Sequence, residues 1–268
     1  MTCPTPGHTT SSLGDTGAYE RLRKIGAGGM GEVWLARRAL GNGIEKTVAL
    51  KFLPSHVAED ARARRDFIRE VQLCMHLSHA AIVQVFDVCE VEGRLCMVME
   101  WVDGVDLAQL MRARAREGRA LPVEVVTHII IELLRALDYA HRLQHDGRAL
   151  CIVHRDVSPH NVLVSVSGDV KLTDFGVARP VHEETSGLHV RGKLRYMAPE
   201  QFSGAAGRNT DLYGLGATML YLLSGGIHPN QFPQSRLKID FEGRVVASED
   251  VLDVLGGKFP PPRCRYRF

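Results

Sequence analysis

Two runs of residues carry types and spacings that could do chemistry. The first is Ile25-Gly26-Ala27-Gly28-Gly29-Met30-Gly31-Glu32-Val33, which fits G-x-G-x-x-G. Alone the pattern is weak, because a flexible turn between two strands reads the same way. A dinucleotide site needs a helix opening on the last glycine, so that a phosphate meets the helix N-terminus. Glu32-Val33-Trp34-Leu35-Ala36 is strand-like instead. In a hairpin, glycines at 26, 28 and 31 let backbone N–H groups close over a triphosphate, and Val33 could roof an adenine ring. Val48-Ala49-Leu50-Lys51 then ends a strand on one lysine suited to α- and β-phosphate oxygens. A lone strand lysine is usually only a solvated charge. Glu70 gives it meaning: flanked by Phe67 and Val71 on an apolar face, it could meet Lys51 and orient it, the alternative being an exposed glutamate. The second run is His154-Arg155-Asp156-Val157-Ser158-Pro159-His160-Asn161. Asp174-Phe175-Gly176 follows Asn161 by thirteen residues, and Ala198-Pro199-Glu200 lies beyond.

The elements that must position these runs are readable from periodicity. Arg21–Ile25, Glu32–Arg38, Thr47–Phe52, Ile82–Cys89 and Arg94–Glu100 read as strands separated by turn signals. One helix, from about Glu59 to Leu77, interrupts them, with Phe67, Val71, Cys74 and Leu77 on one stripe. After Trp101 the chain turns helical. Pro122 stands where a helix can begin, and Val126, Ile130, Leu133, Leu137 and Ala140 continue one apolar face. Short strands return at Val162–Val164 and Val170–Leu172. Asp211 to Leu223 is apolar on nearly every side and stops at Gly225-Gly226, as a buried helix would.

Composition bounds the reading. The chain has 268 residues, 45% hydrophobic and 24% charged, with a formal net charge of +2. Nothing global argues for nucleic acid or a membrane surface. The most apolar segment, Leu212 to Leu223, is shorter than the roughly 20 residues of a span. Met1 to Gly17 lacks the apolar core of a signal peptide. Six scattered cysteines, with no C-x-x-C, favour reduced thiols over a disulfide framework or a zinc site. These points lead to an expectation of a cytoplasmic protein.

In order and spacing, from about Tyr19 to Ser224, the motifs make the chain similar to the protein-kinase family, particularly the bacterial eukaryotic-like (Hanks-type) serine/threonine kinases. The resemblance implies an α+β, two-lobed fold. A disordered leader (1–17) would precede a small β-rich N-lobe with one helix (18–102). A larger, mainly helical C-lobe (103–268) would follow, incomplete at its C-terminus. It implies ATP and Mg2+ as cofactors and transfer of the γ-phosphoryl group to protein hydroxyls. Asp156 would orient the hydroxyl and accept its proton, while Asn161 and Asp174 would hold magnesium. Lys51 and Glu70 would form the pair already suggested, under the loop from Ile25 to Val33. Met97-Val98-Met99-Glu100-Trp101-Val102 looks like the family's last small-lobe strand and hinge. Met99 would guard the back of the pocket, and main-chain groups of Glu100 and Val102 would pair with adenine. Asp106 would reach the ribose, with Ala49 and Leu163 sandwiching the ring. His154 reads as a packed core residue near Phe175, and Asp211 as a brace for the catalytic-loop backbone. Arg155 implies a loop ordered by phosphate, with Thr185 and Ser186 as candidate autophosphorylation sites. Arg62, Arg64 and Arg65 could share that phosphate, although a solvated basic face is the simpler reading. Arg112, Arg114, Arg116 and Arg119 read first as a solvated helix end, then as a dock for an acidic partner.

The chain departs from the family pattern at three places. Ser158 stands where lysine is usual two residues after the catalytic aspartate, and Gly192-Lys193 stands where Gly-Thr is usual. One reading is that lysine and hydroxyl exchange places, so that Lys193 would supply the positive charge beside Asp156 and Ser158 the hydroxyl. The other is two unrelated losses in a weaker enzyme. Leu194-Arg195-Tyr196-Met197-Ala198-Pro199-Glu200 is not far from the tyrosine-kinase loop, while Pro159 and the bacterial-looking Gly29-Met30-Gly31-Glu32-Val33 favour serine/threonine. Only 68 residues follow Glu200, and Arg263 is a weak stand-in for the arginine that normally pairs with it. An unpaired Glu200 and marginal stability are therefore expected. Two rivals remain: a pseudokinase that binds nucleotide with weak or no transfer, and a small-molecule kinase of the same broad fold. Lys51, Glu70, Asp156, Asn161 and Asp174 argue against the first. The Asp-Phe-Gly and Ala-Pro-Glu pair argues against the second.

Overall fold

A computed structural model describes residues 19–28, 31–54, 60–175, 195–235, 238–241, 243, 245 and 247–255. The expectations for the leader, Gly29, Met30, Gly176, Thr185, Ser186, Lys193 and Arg263 lie outside those residues, as does that for the Glu70 side chain. The chain divides into two compact units. One comprises residues up to 75 with 84–101, the other residues 76–83 with those from 102 onward.

In the first unit, β1 (Tyr19–Gly28), β2 (Gly31–Gly41), β3 (Ile44–Phe52), β4 (Val85–Val91) and β5 (Arg94–Glu100) form one antiparallel sheet in the order β1-β2-β3-β5-β4. Two of its hairpins close over two-residue loops, Asn42-Gly43 (φ 50° and 73°) and Glu92-Gly93 (φ 51° and 73°). Positive φ at both central residues is the type I′ turn, whose twist matches that of paired strands. Ala36, Val48, Leu50, Phe52, Cys89, Val91, Cys96 and Val98 pack on one sheet face, with Tyr19, Trp34 and Phe86 against them. Helix α1 (Ala61–Met75) buries Phe67, Val71 and Cys74, the stripe expected from spacing.

The run expected as one strand from Ile82 is broken. Strand β4 begins only at Val85. Before it, the Val83 N–H donates to the Leu172 carbonyl at 2.9 Å, and Ala81 O accepts from the Leu172 N–H at 2.9 Å. Continuous hydrophobicity concealed the point where hydrogen bonding changes partner.

The second unit is mainly helical. It contains β6 (Gly104–Asp106), α2 (Leu107–Arg116), α3 (Val123–Arg142), the hairpin β7 (Gln144–His145) and β8 (Arg148–Ala149), then β9 (Val162–Ser165) and β10 (Val170–Leu172). Helices α4 (Arg208–Leu223) and α5 (Glu249–Leu255) follow. A three-stranded sheet runs β10-β9-β6. Val126, Ile130, Leu133, Leu137 and Ala140 of α3 are buried, as are Leu215, Leu220 and Leu222 of α4. Each large apolar side chain so buried contributes about 1.5–3 kcal/mol. A smaller cluster joins Leu220, Phe232 and Val245 to Leu223, Phe241 and Leu252, tying α5 to α4. Gly214 of α4 meets the 154–161 segment closely, since a Cβ there would stand 2.7 Å from the Val157 carbonyl oxygen. Among the described residues no helix is long and apolar enough to cross a membrane.

Candidate active site

In the first unit the expected nucleotide residues lie on three neighbouring strands. Lys51 of β3 is paired with Val33 of β2 on one side and Met97 of β5 on the other, and Ala49 is paired with Leu35 and Met99. The glycine loop is the β1–β2 hairpin, whose described ends are Gly28 and Gly31. Gly31 has φ +103°, and a Cβ there would lie 2.0 Å from the Phe52 carbonyl oxygen, so only glycine fits. The Glu100 N–H donates to Gln84 O at 2.8 Å, so this main-chain group is already engaged within the first unit.

Glu32 was expected beside the nucleotide, but its carboxylate is committed elsewhere. It accepts from Lys24 Nζ at 2.6 Å, Arg94 Nη1 at 3.2 Å and Trp34 Nε1 at 3.3 Å. The hydrogen bond from Lys24, then those from Trp34 and Arg94, hold its pKa down at about 2. Any contact to a nucleotide falls to its backbone. Arg64 pairs with Glu90 at 2.8 Å and Arg62 stands 4.0 Å from Asp66, which accords with the simpler reading of that basic face.

In the second unit Asp211 organises the catalytic run. Its buried carboxylate accepts the Arg155 N–H (2.7 Å) on Oδ1, and the His154 N–H (2.8 Å) and His141 Nε2–H (2.8 Å) on Oδ2. His154 is fully buried, with its ring 4.6 Å from that of Phe175. Its Nδ1 accepts the Asp156 N–H at 3.2 Å, so the proton sits on Nε2, which donates to Thr173 O at 2.9 Å. The histidine thus joins the backbone before Asp174 to the backbone of Asp156. Asn161 adds a second link: its Nδ2 donates to Asp156 O at 2.7 Å, and its carbonyl accepts the Thr173 N–H at 2.9 Å.

Arg155 (φ 66°) and Asp174 (φ 60°) hold left-handed backbone without being glycine. Such residues cost about 1–3 kcal/mol each and persist only where their surroundings over-determine them. Arg155 is held from both sides, its N–H by Asp211 and its carbonyl by Gln201 Nε2 at 2.9 Å. Gln201 is itself fixed by accepting the Ala198 N–H on Oε1 at 2.9 Å. Asp174 follows Thr173, both of whose backbone groups are bonded as described.

Ser158 is buried, and its carbonyl accepts the Asn161 N–H at 3.0 Å. Asp106 caps α2, with Oδ1 accepting the Gln109 N–H at 2.7 Å, so one carboxylate oxygen is already used. Leu163 lies on β9, opposite Asp106 of β6 and Lys171 of β10. Glu200 is not left without a polar partner: Thr210 Oγ1 donates to its Oε1 at 3.0 Å. The Tyr196 hydroxyl and His228 Nδ1 share a hydrogen bond at 3.1 Å. Burial raises the tyrosine pKa, and burial with the nearby Arg195 and His160 charges lowers that of the histidine.

Sequence reasoning missed His141, Thr173, Gln201 and Thr210. His141 did leave a trace, being a polar residue four positions after Leu137 on the apolar stripe of α3. The others act through contacts, side-chain or backbone, that leave no periodic signal.

The family model described as "Protein kinase domain" matches residues 19–249. The chain is 34% identical over 214 residues to the tyrosine-protein kinase MasK of Myxococcus xanthus, covering 78% of this chain and 33% of that protein. It is 36% identical over 216 residues to the serine/threonine-protein kinase PrkC of Bacillus subtilis, covering 79% of this chain and 31% of that one. The chain therefore spans about a third of the length of these relatives. Among solved structures, the Mycobacterium tuberculosis PknI kinase domain matches with a TM-score of 0.65 and 32% identity, over 88% of this chain and 84% of that one. The match over most of the described residues, and over the strands and loops that hold Lys51, Asp156, Asn161 and Asp174, means that the chain belongs to the protein kinase family, among its bacterial, Hanks-type members.

Proposed function

We propose that the chain is an ATP- and Mg2+-dependent protein kinase that transfers the γ-phosphoryl group to serine and threonine hydroxyls, with Asp156 as the catalytic base. The observation that carries this reading is the double anchoring of Asp156. Its N–H is bonded to His154 and its carbonyl to Asn161, while Asp211 braces the two residues before it. Phosphoryl transfer asks mainly for positioning and charge stabilisation, so a base on a braced backbone suits it. Asp156 orients the hydroxyl of the substrate and takes its proton.

The residues present fit magnesium. Asn161 spends its Nδ2 on Asp156 O, which turns its amide oxygen into the available ligand atom, and Asp174 adds a carboxylate. Hard oxygen donors, few in number, are what this ion takes when phosphates complete its shell. Bound there, magnesium supplies neutralisation of phosphate charge. Lys51, oriented by Glu70, would hold the α- and β-phosphates, and backbone groups from Ile25 to Val33 would cover them. Met99, main-chain groups of Glu100 and Val102, Ala49, Leu163 and Asp106 would take the nucleoside. In this reading residues 18–102 act as the nucleotide lobe and 103–268 as the catalytic lobe. The free thiols at Cys74, Cys89, Cys96 and Cys151 fit a reducing, cytoplasmic setting.

A tyrosine-directed reading has one observation in its favour, the 34% identity to a relative named as a tyrosine-protein kinase. The test is incubation with labelled ATP and magnesium, followed by phosphoamino-acid analysis. Phosphoserine or phosphothreonine is expected, including autophosphorylation at Thr185 or Ser186. Phosphotyrosine alone would overturn the substrate class. An Asp156→Asn variant should lose about 10²–10⁴ in rate. Absence of label in the unmodified protein, with nucleotide still bound, would establish a pseudokinase.

A further inference from the structure

Cys89 and Cys96 lie outside the machinery described above, and the spacing of the cysteines gave no sign that any two meet. They are directly opposed on β4 and β5, with their Sγ atoms 3.3 Å apart, and both are free. The register fixes their geometry. Val91 and Arg94 close the two-residue turn as a hydrogen-bonded pair, Glu90 and Leu95 form the next, non-hydrogen-bonded pair, and Cys89 and Cys96 return to the hydrogen-bonded class. Cα atoms in that class stand about 5.5 Å apart, within the ~4.4–6.8 Å that a disulfide spans. Closing the bond brings the two sulfurs from 3.3 Å to about 2.05 Å.

We propose that Cys89 and Cys96 form a dithiol oxidation site that reacts with a small peroxide and closes to a reversible disulfide between β4 and β5. In the first step the Cys89 sulfur, as thiolate, attacks one peroxide oxygen. The S–O bond forms, the O–O bond breaks and hydroxide leaves, taking up the proton that Cys89 gave up. In the second step the Cys96 sulfur attacks Cys89 Sγ. The S–S bond forms, the S–O bond breaks, and water leaves with the Cys96 proton. Two thiols are oxidised to one disulfide, and the peroxide is reduced to two waters.

With Cys96 as the donor in the 3.3 Å contact the two roles follow, and the reverse order closes the same disulfide. The hydrogen bond from the Cys96 thiol favours a thiolate on Cys89, lowering its pKa against the effect of burial. Giving that bond, together with burial, raises the pKa of Cys96, which keeps its proton as the resolving partner should.

Cys89 is 1% and Cys96 0% exposed, so the reaction waits on an opening of their cover. The cover, however, is thin. Strand β4 is an edge of the sheet. Tyr19, the first residue of β1, packs on the cluster that contains both thiols. Its hydroxyl has no hydrogen-bond partner among the described residues, and the ring is held by packing and by the Arg38 guanidinium 5.4 Å from its centroid. Edge strands open locally at small free energies, and such an opening of β4 would admit a two-oxygen molecule.

The test uses the whole chain, reduced and then exposed to hydrogen peroxide, and needs no kinase activity as a readout. Expected are a mass loss of about 2 Da, a Cys89–Cys96 linkage in the unreduced peptide map, and full reversal by dithiothreitol. Tm of the oxidised form should rise by a few degrees, because the bridge restricts the unfolded chain. Cys89→Ser and Cys96→Ser variants should each fail to lose the 2 Da. Tyr19→Ala should speed the reaction if that ring is the cover. Addition of one or more oxygens at a single cysteine without linkage, or linkage to a different cysteine, would overturn the proposal. So would two unreacted thiols under conditions that oxidise the exposed Cys151.

Discussion

Asp211 Oδ1 accepts the backbone N–H of Arg155 at 2.7 Å, and this bond holds a left-handed, non-glycine residue immediately before the candidate base. The same carboxylate takes the His154 N–H and the His141 ring, so one buried side chain on α4 satisfies three donors. Asp211→Ala would leave those donors unsatisfied in the interior. Each orphaned donor costs about 1–3 kcal/mol, and truncating one partner of a buried charge network typically costs about 3–5 kcal/mol in all. We expect a lower urea midpoint, with faster amide hydrogen exchange at His154 and Arg155 than at positions in the first unit. Asp211→Asn, which keeps one acceptor oxygen, should fall between. Equal stability of Asp211→Ala and the unmodified protein would contradict the bracing role.

Gly31 presents a steric relationship of the same sharpness in the first unit. A Cβ at this position would sit 2.0 Å from the Phe52 carbonyl, on backbone with φ +103°. Two penalties coincide, the overlap with a strand carbonyl and the strained conformation, the latter alone about 1–3 kcal/mol. Gly31→Ala should therefore lower Tm by several degrees and weaken nucleotide binding in equilibrium titration. Alanine at Gly43, where φ is +73° but no atom lies within 4 Å, should lower Tm without touching affinity. If the two variants bind nucleotide equally well, the close approach of Gly31 to β3 has no part in the site.

These contrasts explain what could be read from the chain and what could not. Strand β5, strand β10 and the apolar faces of α1 and α3 follow periodicity, and the structure returns them nearly residue for residue. The catalytic run was legible because its residue types are chemical, and His154 packs on Phe175 as its place in the motif implied. What stayed hidden lies in contacts that leave no periodic trace along the chain. Gln201 reaches the Arg155 carbonyl from forty-six residues away, and Thr210 supplies Glu200 with the partner that Arg263 had been expected to approximate. Glu32 belongs to the glycine run by position, yet Arg94, on a strand not adjacent to its own, helps claim its carboxylate. The Cys89–Cys96 pair depends on hairpin register, which no count of cysteine spacing reveals.

Glu32 predicts part of the acid limb of stability. Its carboxyl is held at about 2, below its ordinary 4.5, by Lys24, Trp34 and Arg94. A carboxylate depressed in the folded state stabilises the fold above its unfolded pKa and loses that contribution as pH falls through the folded one. The window is therefore from about pH 4.5 down to about pH 2. Because the group is solvent-facing, salt should weaken the effect. Glu32→Gln should flatten the fall in Tm across this window and leave the slope above pH 6 unchanged. An identical acid limb in the variant would show that Glu32 has no such linkage.

Ser158 and Lys193 carry the sharpest question about activity. Ser158 is buried in the catalytic run, with its carbonyl tied to the Asn161 N–H, so this position is coupled to the residue expected to hold magnesium. If Lys193 supplies the positive charge that the family usually places at 158, Lys193→Thr should lower kcat with little change in KM for ATP. Loss of one electrostatic stabiliser of the transferring group is worth about 10²–10³ in kcat. The decisive measurement is the double exchange Ser158→Lys with Lys193→Thr, which restores the lysine at the usual position. Two substitutions that compensate one function should couple strongly, by about 0.5–3 kcal/mol in a double-mutant cycle. We expect the double variant to recover most of the lost kcat, while Ser158→Lys alone adds nothing. Tm of each variant separates a lost charge from a disturbed fold. A double variant no faster than Lys193→Thr, at an undiminished Tm, would mean that the two departures are unrelated.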